Sequence, residues 1–77
     1  MKLECVEDKY LVEWFCHYDK FCLARKWCAE TFGYDWGSCN SGQLDRHCNN
    51  LSLFTFKRMY HAQWFIMRWN IDANSKL

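Results

Sequence analysis

Six cysteines and three histidines are the residues of this 77-residue chain best suited to chemistry. Cys39, His47 and Cys48 lie close together in sequence, and Cys22, Cys28 or His17 could approach them in a fold. That set would suit zinc, which needs four thiolate or imidazole ligands converging on a tetrahedron. Structural zinc sites are usually marked by cysteine pairs separated by about two to four residues, and no such pair is present. His47 and Cys48 are also neighbours on a predicted strand, which turns them to opposite faces. The expectation is a chain without metal or cofactor, with Cys39, His47 and Cys48 as the alternative ligand set. A nucleophilic thiol would need a base beside it. Cys16 and His17 alternate across a predicted strand, and His61 is expected on the outer face of the last helix. Glu7 and Asp8 read as a solvated pair, and there is no glycine-rich phosphate loop. No enzyme is expected.

The elements that would carry these residues follow from hydrophobic periodicity. Residues 10–18 alternate as a strand, with Tyr10, Val12, Trp14, Cys16 and Tyr18 on one face and Leu11, Glu13, Phe15 and His17 on the other. Residues 3–6 are either a short leading strand or a tether. Asp19 is the expected N-cap of a helix over 20–32, whose stripe is Ala24, Trp27, Cys28 and Thr31, and Gly33 ends it. Residues 34–43 are turn-rich and read as a loop with Trp36 folded back on the domain. Strands over 44–48 and 51–57 would form a hairpin about Asn49-Asn50, because asparagine tolerates the positive φ of a tight turn. Ala62, Phe65, Ile66 and Trp69 recur at helical spacing, predicting a helix over 59–70 and a frayed polar tail over 71–77. The order β-α-β-β-α implies an α+β fold: a three-stranded sheet with two helices on one face, ferredoxin-like but lacking its last strand.

A chain of this length has room for one core, here a single domain centred on about residues 10–70. Five Trp, four Tyr and six Phe supply it, each burying roughly 150–250 Å². A net charge of +1 argues against both an acidic mimic of nucleic acid and a strongly basic nucleic-acid binder. No apolar run is long enough to span a membrane. The charged first residues lack the apolar core of an export signal, so a cytoplasmic chain with reduced thiols is expected.

Three segments carry a resemblance. Trp27-Cys28 followed by Phe32-Gly33, then Phe54-Thr55-Phe56, then Ala62, Phe65, Arg68 and Trp69 resemble a loose group of short tailed-bacteriophage proteins. Their pattern is a WC-x-x-x-F-G helix end, an F-x-F strand and a final A-x-x-F-x-L-R-W helix, with Met67 standing here where the group usually has Leu. The match spans about residues 27–69. What it implies is origin, a phage accessory protein made in the cytoplasm of an infected bacterium.

Surplus aromatics and cations then point to a binding role. Trp64 departs from the core stripe of the last helix, beside His61 and Arg68, while Lys57 and Arg58 stand at the helix N-terminus, where the dipole disfavours cations. With Trp36 these are the candidate partner-binding residues, since aromatics and arginine dominate interface hot spots. The expected function is a non-catalytic inhibitor that binds a host protein, an anti-defence role of the anti-CRISPR kind being its most concrete form. A zinc-stabilised or virion structural module is the alternative, and nucleic-acid binding by Phe54, Phe56 and nearby cations stands third. A homodimer paired through sheet edges is compatible with all three.

Overall fold

A computed structural model describes the backbone of residues 1–74 and the side chains of residues 1–70. Lys2–Val6 (β1) and Lys9–His17 (β2) form an antiparallel hairpin in which Lys2 faces Glu13 and Val6 faces Lys9. Its two-residue turn holds Glu7 at φ 57, a left-handed conformation that costs any residue but glycine. β2 runs without a linker into Tyr18–Phe32 (α1). Its last residue, His17, is therefore still extended (φ −62, ψ 143), the conformation an N-cap needs. Its Nδ1 accepts the Asp19 N–H at 3.1 Å. The cap is thus His17, and the helix starts two residues earlier than the Asp19 cap predicts. Gly33 closes α1 at φ 70.

Trp36–Asn40 (β3) and Asn49–Phe56 (β4) complete the sheet, and Met59–Asn74 forms α2. The sheet has four antiparallel strands in the order β1-β2-β4-β3. Two expectations are corrected here. The fold is α+β with both helices packed on the same core, but the sheet has four strands, because β1 fills the outer position beside β2 that three strands would leave empty. The hairpin is also elsewhere. Its first strand is Trp36–Asn40, inside the predicted loop, and 44–48 is not a strand. The chain reverses at Asp45, whose Oδ1 accepts the N–H groups of His47 and Asn49, both at 2.8 Å, while its carbonyl accepts the Cys48 N–H. Cys48 takes the positive φ (63) assigned by sequence to Asn49-Asn50. α2 continues through Ile71–Asn74, part of the predicted tail; residues 75–77 of that tail lie outside the described residues.

The helices cover one sheet face. Val12, Trp14 and Cys16 from β2 and Phe54 and Phe56 from β4 meet Phe21, Ala24 and Cys28 from α1 and Ala62, Phe65 and Trp69 from α2. Phe65 is the hub, with ring centroids 4.6 Å from Phe54, 5.5 Å from Phe56 and 6.1 Å from Trp14. Full burial of such a side chain stabilises by about 1.5–3 kcal/mol. Phe54 and Phe56 are thus core residues rather than a nucleic-acid stacking platform.

One corner of this face is polar. Asn50 and Ser52 are buried on β4. Asn50 Nδ2 donates to Asn40 Oδ1 at 2.5 Å, and Asn40 Nδ2 donates to Ser52 Oγ at 3.3 Å. Asn40 Oδ1 also accepts the Gly42 N–H at 2.9 Å. Ser52 Oγ lies 3.7 Å from Cys16 Sγ.

Candidate interaction surface

α2 presents two apolar rows. Ala62, Phe65 and Trp69 point into the core. Tyr60, Trp64 and Met67 repeat at i, i+4 and i+7 on the outside, 58%, 51% and 67% exposed. Helical spacing aligns those three as one strip. Trp64 is held at its inner edge by two T-shaped contacts, to Trp27 at 6.1 Å and Phe32 at 5.5 Å, so its outer half is exposed but its orientation is fixed. Trp64 is thus packed on its inner edge against Trp27 and Phe32 and open on its outer one.

Cations border the strip. The Arg58 guanidinium lies 6.0 Å from the Tyr60 ring centroid, and that of Arg68 lies 4.3 Å from the Trp69 ring centroid. Arg68 and Trp69 also line a shallow groove of 380 Å³ between α1 and α2, with Lys26, Trp27 and Glu30 on the other wall.

The six residues chosen from sequence do not form one cluster. His61 and Trp64 share Phe32 as a neighbour, but His61 is not on the outer face as predicted. Its ring stacks on Phe32 at 4.5 Å, and its buried Nδ1 has no hydrogen-bond partner among the described residues. The reason is angular: position 61 falls at the boundary of the core stripe, where Phe32 at the end of α1 covers it. Lys57 and Trp36 lie together elsewhere, lining a hollow of 150 Å³ with Lys9 and Tyr34. The Trp36 indole N–H is already committed to the Gly33 carbonyl at 2.8 Å. Tyr60 and Met67 were missed, although their spacing from Trp64 was a readable signal.

The alternative ligand set is not assembled: among the described residues no three His, Cys, Asp or Glu side chains gather to hold a metal. All six cysteines are free. Burial pushes the Cys28 thiol up to about 12, and raises that of Cys16 against the opposing pull of the Ser52 hydroxyl, so neither is a ready nucleophile. The Asp45 carboxyl is lowered by the backbone N–H of Asn49 first, with that of His47 adding to it, and its role is to tie the loop. No described helix is long and apolar enough to cross a membrane. No protein-family model, curated protein or solved structure matches the chain.

Proposed function

We propose that this chain is a non-catalytic binding protein whose α2 outer strip docks on a partner protein. The observation that carries the reading is the exposed row of Tyr60, Trp64 and Met67. A helix that is apolar on both sides is normally buried on both, and here only one side is covered within the chain. Aromatic rings and methionine are enriched at interface centres, and a pre-fixed Trp64 loses little side-chain entropy on docking. Arg58 and Arg68 at the border of the strip favour a partner whose apolar groove is edged by carboxylates. The resemblance to tailed-phage proteins supports reading the partner as a bacterial host protein and the effect as inhibition, in the manner of an anti-defence factor. The four-stranded order also fits a ferredoxin-like sheet in which the N-terminal strand takes the place of the C-terminal one.

The test is retention of a stoichiometric protein from bacterial lysate by the tagged chain, compared with Trp64→Ala and with Tyr60→Ser/Met67→Ser. Supporting results are loss of that protein in both variants, unchanged melting, and inhibition of the captured protein by the wild type alone. Equal retention by all three chains refutes the assignment of the strip.

A further inference from the structure

The two outer strands of the sheet are defended differently. β1 carries Lys2 and Glu4, joined at 2.8 Å, and charge on an edge discourages a further strand. β3 has neither charge nor proline, and it pairs with β4 residue for residue without a bulge. Its free side follows from the ladder. The Ser41 N–H donates to the Leu51 carbonyl at 3.0 Å, so by alternation Cys39 and Gly37 also form hydrogen-bonded pairs with β4. The N–H and C=O groups of Trp36, Ser38 and Asn40 therefore point away from β4. Among the described residues no backbone group of another element meets those of Ser38.

α1 leaves a groove beside that edge. Cys22, Arg25, Lys26 and Ala29 recur at i, i+3, i+4 and i+7, so they form one row along the helix. With Trp36 they line a groove of 320 Å³, which the small side chains of Cys22 and Ala29 keep open. Its charged lining is wholly cationic. The Arg25 guanidinium lies 5.7 Å from the Phe21 ring centroid, and neither Arg25 nor Lys26 has an ion pair among the described residues. Glu30 lines the other groove, between α1 and α2, which Lys26 also borders, and Asp35 lines neither.

Edge and groove together specify an occupant. Free backbone groups at strand spacing are satisfied by a further strand. In an antiparallel pair, directly opposed residues share a face. The residues bonded to Trp36, Ser38 and Asn40 would thus turn their side chains toward α1, as those three do. Two unpaired cations there favour carboxylates on those side chains. A second copy is disfavoured: a two-fold axis normal to the sheet would join β3 to β3 and set the two α1 rows side by side, cation toward cation.

We infer that β3 accepts an extended acidic peptide as a fifth, antiparallel strand, centred on Ser38, with alternate glutamates or aspartates against Arg25 and Lys26. Five residues give about 16 Å of pairing. The site is separate from the α2 strip and does not depend on it.

Amide NMR spectra of the full chain, titrated with three end-blocked heptapeptides, test this. One alternates glutamate with threonine, one alternates lysine with threonine, and the third is the glutamate peptide N-methylated at each glutamate. The glutamate peptide is expected to shift the amides of β3 and of residues 22–29, and to protect the Ser38 amide from exchange. The other two should bind at least about tenfold more weakly. Arg25→Glu/Lys26→Glu, both exposed positions, should reverse the preference between the glutamate and lysine peptides, whereas Trp64→Ala should bind like the wild type. No shift with the glutamate peptide at about 1 mM, equal binding of the three peptides, or shifts confined to α2 would overturn the inference. So would Ser38 protection that grows with protein concentration alone, the mark of a second copy on this edge.

Discussion

Asn40 and Asn50 are hydrogen-bonded to each other, yet their removal should have unequal effects. Asn50 is the more buried, but it makes one side-chain bond, and its Oδ1 has no partner among the described residues. Asn50→Ala forfeits that bond, about 1 kcal/mol, and opens a small cavity, but it also removes a buried unpaired acceptor that costs about 1–3 kcal/mol. The net change is near zero to about 1 kcal/mol. Asn40 is only half-buried, yet its amide accepts from Asn50 and Gly42 and donates to Ser52. Asn40→Ala leaves the Asn50 amide unpaired at both ends inside the fold, and should cost about 2–4 kcal/mol. Total stability for a chain of this length is about 4–12 kcal/mol. With a urea m-value near 1 kcal/mol per molar, the midpoint should fall by about 2–4 M for Asn40→Ala and by less than about 1 M for Asn50→Ala. The double variant no longer strands the Asn50 amide and should cost about 1–2 kcal/mol less than the sum of the two single changes. Asn50→Ala costing as much as Asn40→Ala, or strict additivity, would refute the reasoning.

Glu7→Gly relieves the positive φ of the first hairpin turn and should stabilise by about 1 kcal/mol, raising Tm by about 4–8 °C; an unchanged or lower Tm counts against strain there. Alkylation of the native protein at mildly alkaline pH, read by intact mass, should modify the exposed Cys5, Cys22, Cys39 and Cys48 well before Cys16 and Cys28. Rapid modification of Cys28 would show that its burial is wrong. The His47 and Asn49 amide resonances should titrate with Asp45 below the free carboxylate value of about 3.9. Because the folded pKa is depressed, this carboxyl's contribution is present above the unfolded value and is lost as pH falls through the folded one. Asp45→Asn should abolish that titration.

The helices were legible because each has one stripe facing one core. β2 and the inward pair Phe54 and Phe56 were legible from alternation. β1 was legible only as one of two readings, a short leading strand or a tether, because Lys2 and Glu4 are tolerated in a strand only on an outer strand with a solvated face. β3 contains Gly37, Ser38 and Asn40, poor strand formers; the pairings of Trp36 with Phe56 and Ser38 with Phe54 hold it in place. A Cβ at position 37 would come within 2.7 Å of Thr55 Oγ1, a packing requirement that appears only once β4 lies alongside. Asn49-Asn50 has turn composition, but Asn50 is committed to a partner ten positions away, which local reading cannot see. On the surface, Trp64 was found by its departure from one stripe, whereas Tyr60 and Met67 required a search for a second.

The place of β1 has a kinetic consequence. All its sheet pairing is with β2, across a two-residue turn, so these contacts form without gathering distant chain. The β2–β4 ladder, by contrast, joins Tyr10 to Phe56 and closes a loop containing all of α1 and β3. Contact order places the rate-limiting entropy loss in that closure, and the first hairpin adds little to it. Substitutions that weaken β1 should therefore leave refolding nearly unchanged and accelerate unfolding, whereas those in the β2–β4 ladder should slow refolding. The outer strand acts as a late clasp on a sheet whose formation is decided elsewhere.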